Sequence, residues 1–349
     1  MSEIELIFEK LDGACCPEDV FGSGDDPAVV FKKLARVCHP DVNPLEPIAK
    51  QAFQKLNELK SEADARIKRG IWGKRVPLPH CVPLEIGKYK AKHHPRIGDI
   101  ADLYTVEGGK SLIKVARSHD DNDLLRAEAT ALRLMAKIDG PVREGVPELV
   151  DNFWVEGTWK REANVITRFP GFVTAQEVNA KFGEDTVNKR TGVWMFKRIL
   201  SLLTWAHHFK IIHGAILPPH VLFYPDNDGN TVTKDPRKHS IRLIDWCYSV
   251  DYTQRTRLSS WVPAWQNHYA PELLSKKSIG PPADIYMAAK LMVYLCGNLW
   301  MPSLGNVLKK CLESDPAKRY QKAGDALNDW KEAAQKEYGA PKWVEFNLP

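Results

Sequence analysis

Asp245, Lys114, Glu128 and His213 carry side chains able to do chemistry and stand at suggestive places in this sequence. Asp245 ends the apolar run Ile241-Arg242-Leu243-Ile244. A carboxylate delivered by a buried strand can ligate a metal, or it can simply cap the turn that follows. His213 closes an earlier apolar run and is followed by Gly214, Ala215 and a loop with two prolines. Lys114 stands in Ser111-Leu112-Ile113-Lys114-Val115-Ala116, where strand alternation turns it away from Ile113 and Val115. Near the start, His39-Pro40-Asp41 interrupts two helical patterns. Asp226, Asp228 and Asn230 hint at a calcium loop, but its twelfth place holds Arg237 where a bidentate glutamate is needed, so a solvated turn is expected.

The elements that must position these groups follow from periodicity. Ile4, Ile7, Phe8 and Leu11 recur at helical spacing, and Pro17 to Gly22 makes a second short start and stop. Asp26-Pro27 opens a helix with an aspartate cap and a proline in the first position. Val30, Leu34 and Val37 form its apolar stripe; Lys32, Lys33 and Arg36 lie on another face. It stops before Pro40, and the next helix runs from Glu46-Pro47 to Gly70. Prolines at 77, 79, 83 and 95, among lysines, predict an extended basic linker over 71–95, with Ile71 and Trp72 packing onto a neighbouring domain. Strands are predicted around 96–106, 111–116, 149–155 and 163–169. A helix beginning at Asp121 or Asn122 carries Glu128, and a long apolar helix covers Val193 to His208. Asp284 opens another helix, and Trp330 and Trp343 are expected to pack the last helix and the tail.

Composition narrows the class. A chain of 349 residues suggests two domains, and 44% hydrophobic residues suffice for a core. A net charge of +5 is mild for this length and does not argue for nucleic acid. The seven cysteines include no Cys-x-x-Cys pair, so neither a zinc knuckle nor a disulfide framework is expected. The acidic start lacks a signal-peptide core, and no apolar run is long enough to span a membrane. These features suggest a cytoplasmic protein.

The two helices around His39, Pro40 and Asp41, the first of them basic and the second carrying Phe53, resemble the J-domain of co-chaperones over residues 1–70. The resemblance implies that the tripeptide, with Lys32, Lys33 and Arg36 as docking face, engages a heat-shock ATPase chaperone and stimulates its ATP hydrolysis. The aromatic-rich first helix of that family is poorly matched by Pro17 to Gly22, and no glycine-rich or zinc-binding client module follows. The client is an unknown protein.

Residues 96–349 are similar to the eukaryotic-type protein-kinase fold. The chain as a whole is therefore expected to be α+β: a small helical J-domain followed by a bilobal kinase-like domain. The resemblance places Gly98 as the last remnant of the glycine-rich loop, Lys114 as the phosphate lysine and Glu128 as its helix partner. Thr167 is expected at the back of an adenine pocket, with Pro170-Gly171 as hinge, and Asp245 as the magnesium ligand. His213, Glu272 in Ala270-Pro271-Glu272, Asp284, and Arg319 in Asp315-Pro316-Ala317-Lys318-Arg319 match scaffold landmarks. Where that family needs a proton acceptor this chain has Ala215, where it needs a second magnesium ligand it has His220, and where it needs an arginine it has Gly214. Trp246 and Cys247 replace a phenylalanine and a glycine. Binding of ATP and magnesium is thus implied, but in a degenerate form. Three functions remain open: a pseudokinase joined to a J-domain, binding nucleotide or a protein; an atypical phosphoryl- or nucleotidyl-transferase using Lys114, Glu128 and Asp245; and a non-catalytic interaction module without nucleotide.

Overall fold

The computed structural model describes residues 3–24, 26–43, 47–78, 83–92, 95–138, 140, 142–157, 159–183, 185–226, 239–255, 257–275 and 279–348. The chain divides into two units, Met1–His94 and Pro95–Pro349. Of the expected calcium-loop residues, Asp228 and Asn230 lie outside the described residues. Among the described residues, no helix is long and apolar enough to cross a membrane.

The first unit is built on α1 (Glu3–Asp12), α2 (Glu18–Phe21), α3 (Pro27–Cys38) and α4 (Pro47–Lys68). Asp26 caps α3 by accepting the Ala28 N–H at 2.9 Å, with Pro27 in the first turn. The helix ends at His39, which is already extended because Pro40 follows. Helix α4 packs against α1 and α3 around fully buried Leu11, Cys38, Ala52, Leu56 and Ala63.

The unit does not stop at Gly70. Trp72 packs on this same core, and Leu78 joins it. The Leu78 N–H donates to the Cys15 carbonyl at 2.7 Å. Glu18 ties the segment down: one carboxylate oxygen accepts the Gly73 N–H at 3.1 Å, the other Arg66 Nη1 at 3.1 Å. The extended basic linker expected from residue 71 is therefore corrected over 71–78. Proline density predicts extended chain correctly, but Trp72 and Leu78 carry enough apolar surface to lay that chain on its own helices. Strands β1 (Leu84–Ile86) and β2 (Tyr89–Ala91) then form a hairpin across Gly87 and Lys88. The positive φ of Gly87 at the first loop position suits a type II′ turn.

The second unit begins with β3 (Arg96–Ile97), β4 (Ala101–Thr105) and β5 (Ser111–Ala116), followed by α5 (Asn122–Met135), β6 (Leu149–Val155) and β7 (Arg161–Thr167). The five strands form one antiparallel sheet in the order β3-β4-β5-β7-β6, against which α5 packs. Next come β8 (Val173–Thr174), α6 (Ala175–Phe182), α7 (Lys189–His208), β9 (Ile211–Ile212), β10 (Val221–Phe223), β11 (Ile241–Leu243) and β12 (Val250–Asp251). The chain finishes with α8 (Pro271–Leu274), α9 (Pro281–Cys296), α10 (Pro302–Cys311) and α11 (Ala323–Tyr338). Trp330 is fully buried on α11, as expected, whereas Trp343 in the tail is 48% exposed.

Two short ladders fix the loops that matter. Strand β9 pairs with β12, and β10 pairs with β11. His213 leaves β9 and His220 enters β10, while Asp245 follows β11 and the turn after it enters β12. Both loops are thus gripped at each end by backbone hydrogen bonds.

Replacing Glu18 by alanine is expected to destabilise the first unit by about 2–3 kcal/mol. A buried guanidinium loses one of its two carboxylates, and Glu62 retains it. Denaturant unfolding, followed by Trp72 fluorescence, measures this.

Candidate functional site

Strand alternation brings Lys114 to the inner face of β5, and its ammonium is buried. Three acidic groups surround it. Nζ donates to Glu128 Oε1 at 2.9 Å, Asp245 Oδ1 at 2.7 Å and Cys247 Sγ at 3.1 Å. Glu128, one face of α5 and fully buried, is held on its other oxygen by Asn164 Nδ2 at 3.0 Å. Asn164 sits directly opposite Lys114 in the β5–β7 ladder. His220 Nε2 lies 3.2 Å from Asp245 Oδ2, and its Nδ1 meets the Ala215 carbonyl at 3.0 Å. A carbonyl only accepts, so Nδ1 carries a proton and donates it there. Asp245 itself adopts a left-handed conformation (φ 63°, ψ 59°). That backbone is costly for most residues, and aspartate is among the few that tolerate it.

The electrostatics follow from this packing. Burial pulls the Lys114 ammonium down, but the charges of Asp245 and Glu128 outweigh it and hold the pKa well above the usual value. Burial pushes Asp245 up, yet Lys114 and His220 more than offset it and hold the carboxyl well below the usual range. Burial pushes the Cys247 thiol up, and Glu128 adds to this against Lys114. The cluster is therefore a cation locked between two carboxylates and a neutral thiol.

Magnesium does not fit this donor set. Glu128, Asp245 and Cys247 present ligand atoms within 4.8 Å of one another. The cation among them is the lysine's own ammonium, bonded to all three. The remaining Asp245 oxygen faces an imidazole where an oxygen ligand is wanted, and magnesium takes oxygen ligands at strict octahedral geometry. Asp245, expected as a magnesium ligand, is paired with the Lys114 ammonium in this structure, with its other oxygen 3.2 Å from His220 Nε2.

The nucleotide residues expected at Gly98 and Thr167 stand elsewhere. The Gly98 N–H donates to the Ala101 carbonyl at 3.0 Å, and its own carbonyl accepts Arg117 Nη1 at 3.1 Å. A Cβ at 98 would meet the Ala101 oxygen at 2.6 Å, so the glycine serves a tight hairpin and leaves no amide for a phosphate. Thr167 pairs with Ser111 and shares the face of Ile113 and Val115, opposite to Lys114. Its hydroxyl accepts the Glu148 N–H at 2.9 Å. Ile166, paired with Leu112, takes the place expected of Thr167 on the Lys114 side of the sheet.

The loop after β9 is held by a buried aspartate and its own histidine. Asp284, fully buried at the start of α9, accepts from His213 N at 2.8 Å, Gly214 N at 2.9 Å and His207 Nε2 at 3.0 Å. His213 donates through Nε2 to the Ile244 carbonyl at 2.9 Å and accepts the Ala215 N–H at Nδ1, so its ring is neutral. Burial lowers its pKa to about 4, against the opposing charge of Asp284. Gly214 has φ +77°, and a Cβ there would lie 2.4 Å from the Tyr248 carbonyl oxygen. Ala215 is completely buried. Trp246 fills the space beside His213, with ring centroids 4.6 Å apart, and donates to the Leu243 carbonyl at 2.9 Å. Further away, Arg319 grips Glu272 with two bonds of 2.6 and 2.9 Å in a buried pair.

In the first unit, His39, Pro40 and Asp41 lie together at the end of α3. The His39 ring stands edge-on to Phe53 with centroids 4.6 Å apart, and Nδ1 accepts the Asp41 N–H at 3.2 Å. Asp41 and the side chains of Lys32, Lys33 and Arg36 are exposed.

Sequence reasoning missed two members of the cluster: Cys247 as an acceptor for Lys114, and Asn164 as the brace of Glu128. An asparagine inside the apolar run Ala163-Asn164-Val165-Ile166 was the available signal, because a buried amide must have partners.

No family model and no curated protein matches the chain. Solved structures do. The kinase domain of PknI from Mycobacterium tuberculosis superposes with a TM-score of 0.54 at 15% identity, over 74% of this chain and 100% of that one. A double-mutant form of the same domain gives 0.53 at 16% identity over the same shares. The second unit has a protein-kinase-like fold. At this identity the likeness concerns the kinase-like fold alone.

Two outcomes follow. Lys114→Met leaves the buried Glu128 and the partly buried Asp245 without their cation and is expected to cost about 3–5 kcal/mol in urea unfolding. Adding Asp245→Asn and Glu128→Gln recovers most of that loss. Protonation of His213 supplies the second. The ring is neutral in both states above pH 6.5; below that the unfolded chain takes up a proton that the folded chain refuses until about pH 4. Stability therefore falls with acidification across this window, by up to about 1.4 kcal/mol per pH unit. His213→Gln removes that component of the slope, which paired unfolding curves measure.

Proposed function

We propose that this chain is a co-chaperone of J-domain type whose kinase-like unit is a non-catalytic module. The observation that carries the reading is the half-buried His39 and Pro40 with exposed Asp41, beside exposed Lys32, Lys33 and Arg36. A rigid turn with a basic helix face is suited to an acidic, ATP-hydrolysing chaperone partner, because complementary charge steers encounter and fixes orientation. The proposed role of the first unit is to recruit such a heat-shock ATPase and stimulate its hydrolysis. The second unit would then hold a protein client.

Loss of catalysis in the second unit is supported by Lys114. Its ammonium is already neutralised inside the protein, and Ala215 offers a methyl where a hydroxyl substrate needs a base. Phosphoryl transfer relies on a positioned cation and metal at the phosphates. Both are replaced by internal pairs.

A second reading, phosphoryl or nucleotidyl transfer by an atypical route, is favoured by one observation, the intact 2.9 Å Lys114–Glu128 pair. Label transfer from γ- or α-labelled ATP that vanishes in Asp245→Asn would establish it in place of the non-catalytic module.

The co-chaperone reading is tested with the full chain and a purified heat-shock ATPase. Wild type is expected to raise single-turnover ATP hydrolysis. His39→Gln and Asp41→Asn are each expected to lower that stimulation at least about tenfold, the loss carried by one docking hot spot. Absence of stimulation by the folded wild type, or equal stimulation by both variants, would refute the reading.

A further inference from the structure

A second candidate site lies in the second unit, away from the Lys114 cluster. Helices α7 and α11 and the tail after α11 enclose a cavity of about 540 Å³. Its size lies in the range of small-molecule and cofactor sites. Five cations line it: Arg190, Lys197 and Arg198 from α7, Lys331 from α11, and Lys342 from the tail. No carboxylate lines it among the described residues. Neither does any of these five form an ion pair with a described carboxylate, since the recorded pairs lie elsewhere. Converging positive charge raises the local concentration of anions.

The wall is aromatic and rigid. His239 is sandwiched between Trp343, at 3.6 Å and 3°, and Trp194, at 4.5 Å and 10°. Its Nε2 donates to the Val344 carbonyl at 2.6 Å, which pins the tail. The charge of Asp226 acts on His239 in this wall, and its Oδ2 accepts the Phe346 N–H at 2.7 Å. Arg190 lies 4.7 Å over the Tyr338 ring, so its guanidinium is held in place. Trp343 leaves nearly half of its surface exposed beside the cations.

We propose that this cavity binds a nucleotide-sized organic phosphate, without metal, its phosphates held by Arg190, Lys197, Arg198 and Lys331 and its ring laid on Trp343. Arginine forks match phosphate oxygens in bidentate geometry, and an exposed indole offers a stacking face. The proposal is independent of the Lys114 cluster and of the co-chaperone reading.

The probe is ADP, titrated into the full-length protein by calorimetry in EDTA, with pyrophosphate as the comparison. ADP is expected to bind more tightly than pyrophosphate, with affinity falling as salt rises. Lys197→Glu/Arg198→Glu is expected to weaken ADP at least about tenfold, the scale of losing one charge-assisted contact. All these side chains are exposed, and the single variants Arg190→Ala and Lys331→Ala, checked by circular dichroism, give the same direction should the double variant misfold. Trp343→Ala is expected to bring ADP down to the level of pyrophosphate. Absence of ADP binding at about 1 mM overturns the proposal. So does binding undiminished in the charge variants, or pyrophosphate binding as tight as ADP. Loss of binding in Lys114→Met with retention in Lys197→Glu/Arg198→Glu places the ligand in the other site and overturns it as well.

Discussion

The second unit turns on one buried ammonium. Lys114 reaches from the sheet to a helix carboxylate, a loop carboxylate and a thiol, and so joins β5, α5 and the segment after β11 at a single nitrogen atom. Burying a charge costs several kcal/mol, and only a full set of partners offsets that. The partners here are themselves braced, Glu128 by Asn164 and Asp245 by His220. The cluster therefore acts as a joint between sheet and loops, with its counter-charge supplied by the protein itself.

The scaffold pairs tell the complementary half. Asp284 gathers two backbone amides and a histidine, and Arg319 clasps Glu272 in a bidentate pair. Each supports backbone rather than chemistry. Asp284 anchors the loop after β9, and Arg319 ties the start of α8 to the turn before α11. The frame is thus held by buried pairs that are separate from the Lys114 cluster.

Much of this was legible in the sequence, for reasons that differ by residue. Lys114 could be placed because alternation within a six-residue strand fixes its face. Asp284 and Arg319 could be placed because the short motifs around them, a helix start and a proline turn, resemble landmarks of the kinase fold in their order along the chain. The face of Thr167 was misread by one position, since both sides of β7 are buried and apolar pattern gives no phase there. The linker was misread because prolines report backbone conformation and say nothing of what the extended chain lies on. Helices α6 and α10 are short, and the sequence reading left them unassigned. The Cys247 contact with Lys114 needs two loops brought together in three dimensions, which no local pattern encodes.

Gly214 has a consequence for what this loop can accept. Its left-handed backbone and the nearby Tyr248 carbonyl leave no room for even a methyl group. Any side chain at this position first requires the main chain at Tyr248 to move, and the fully buried Ala215 next door leaves no slack for that movement. The pair is thus a keystone: a substitution there is felt as a displacement of two backbone segments and not as a change of surface.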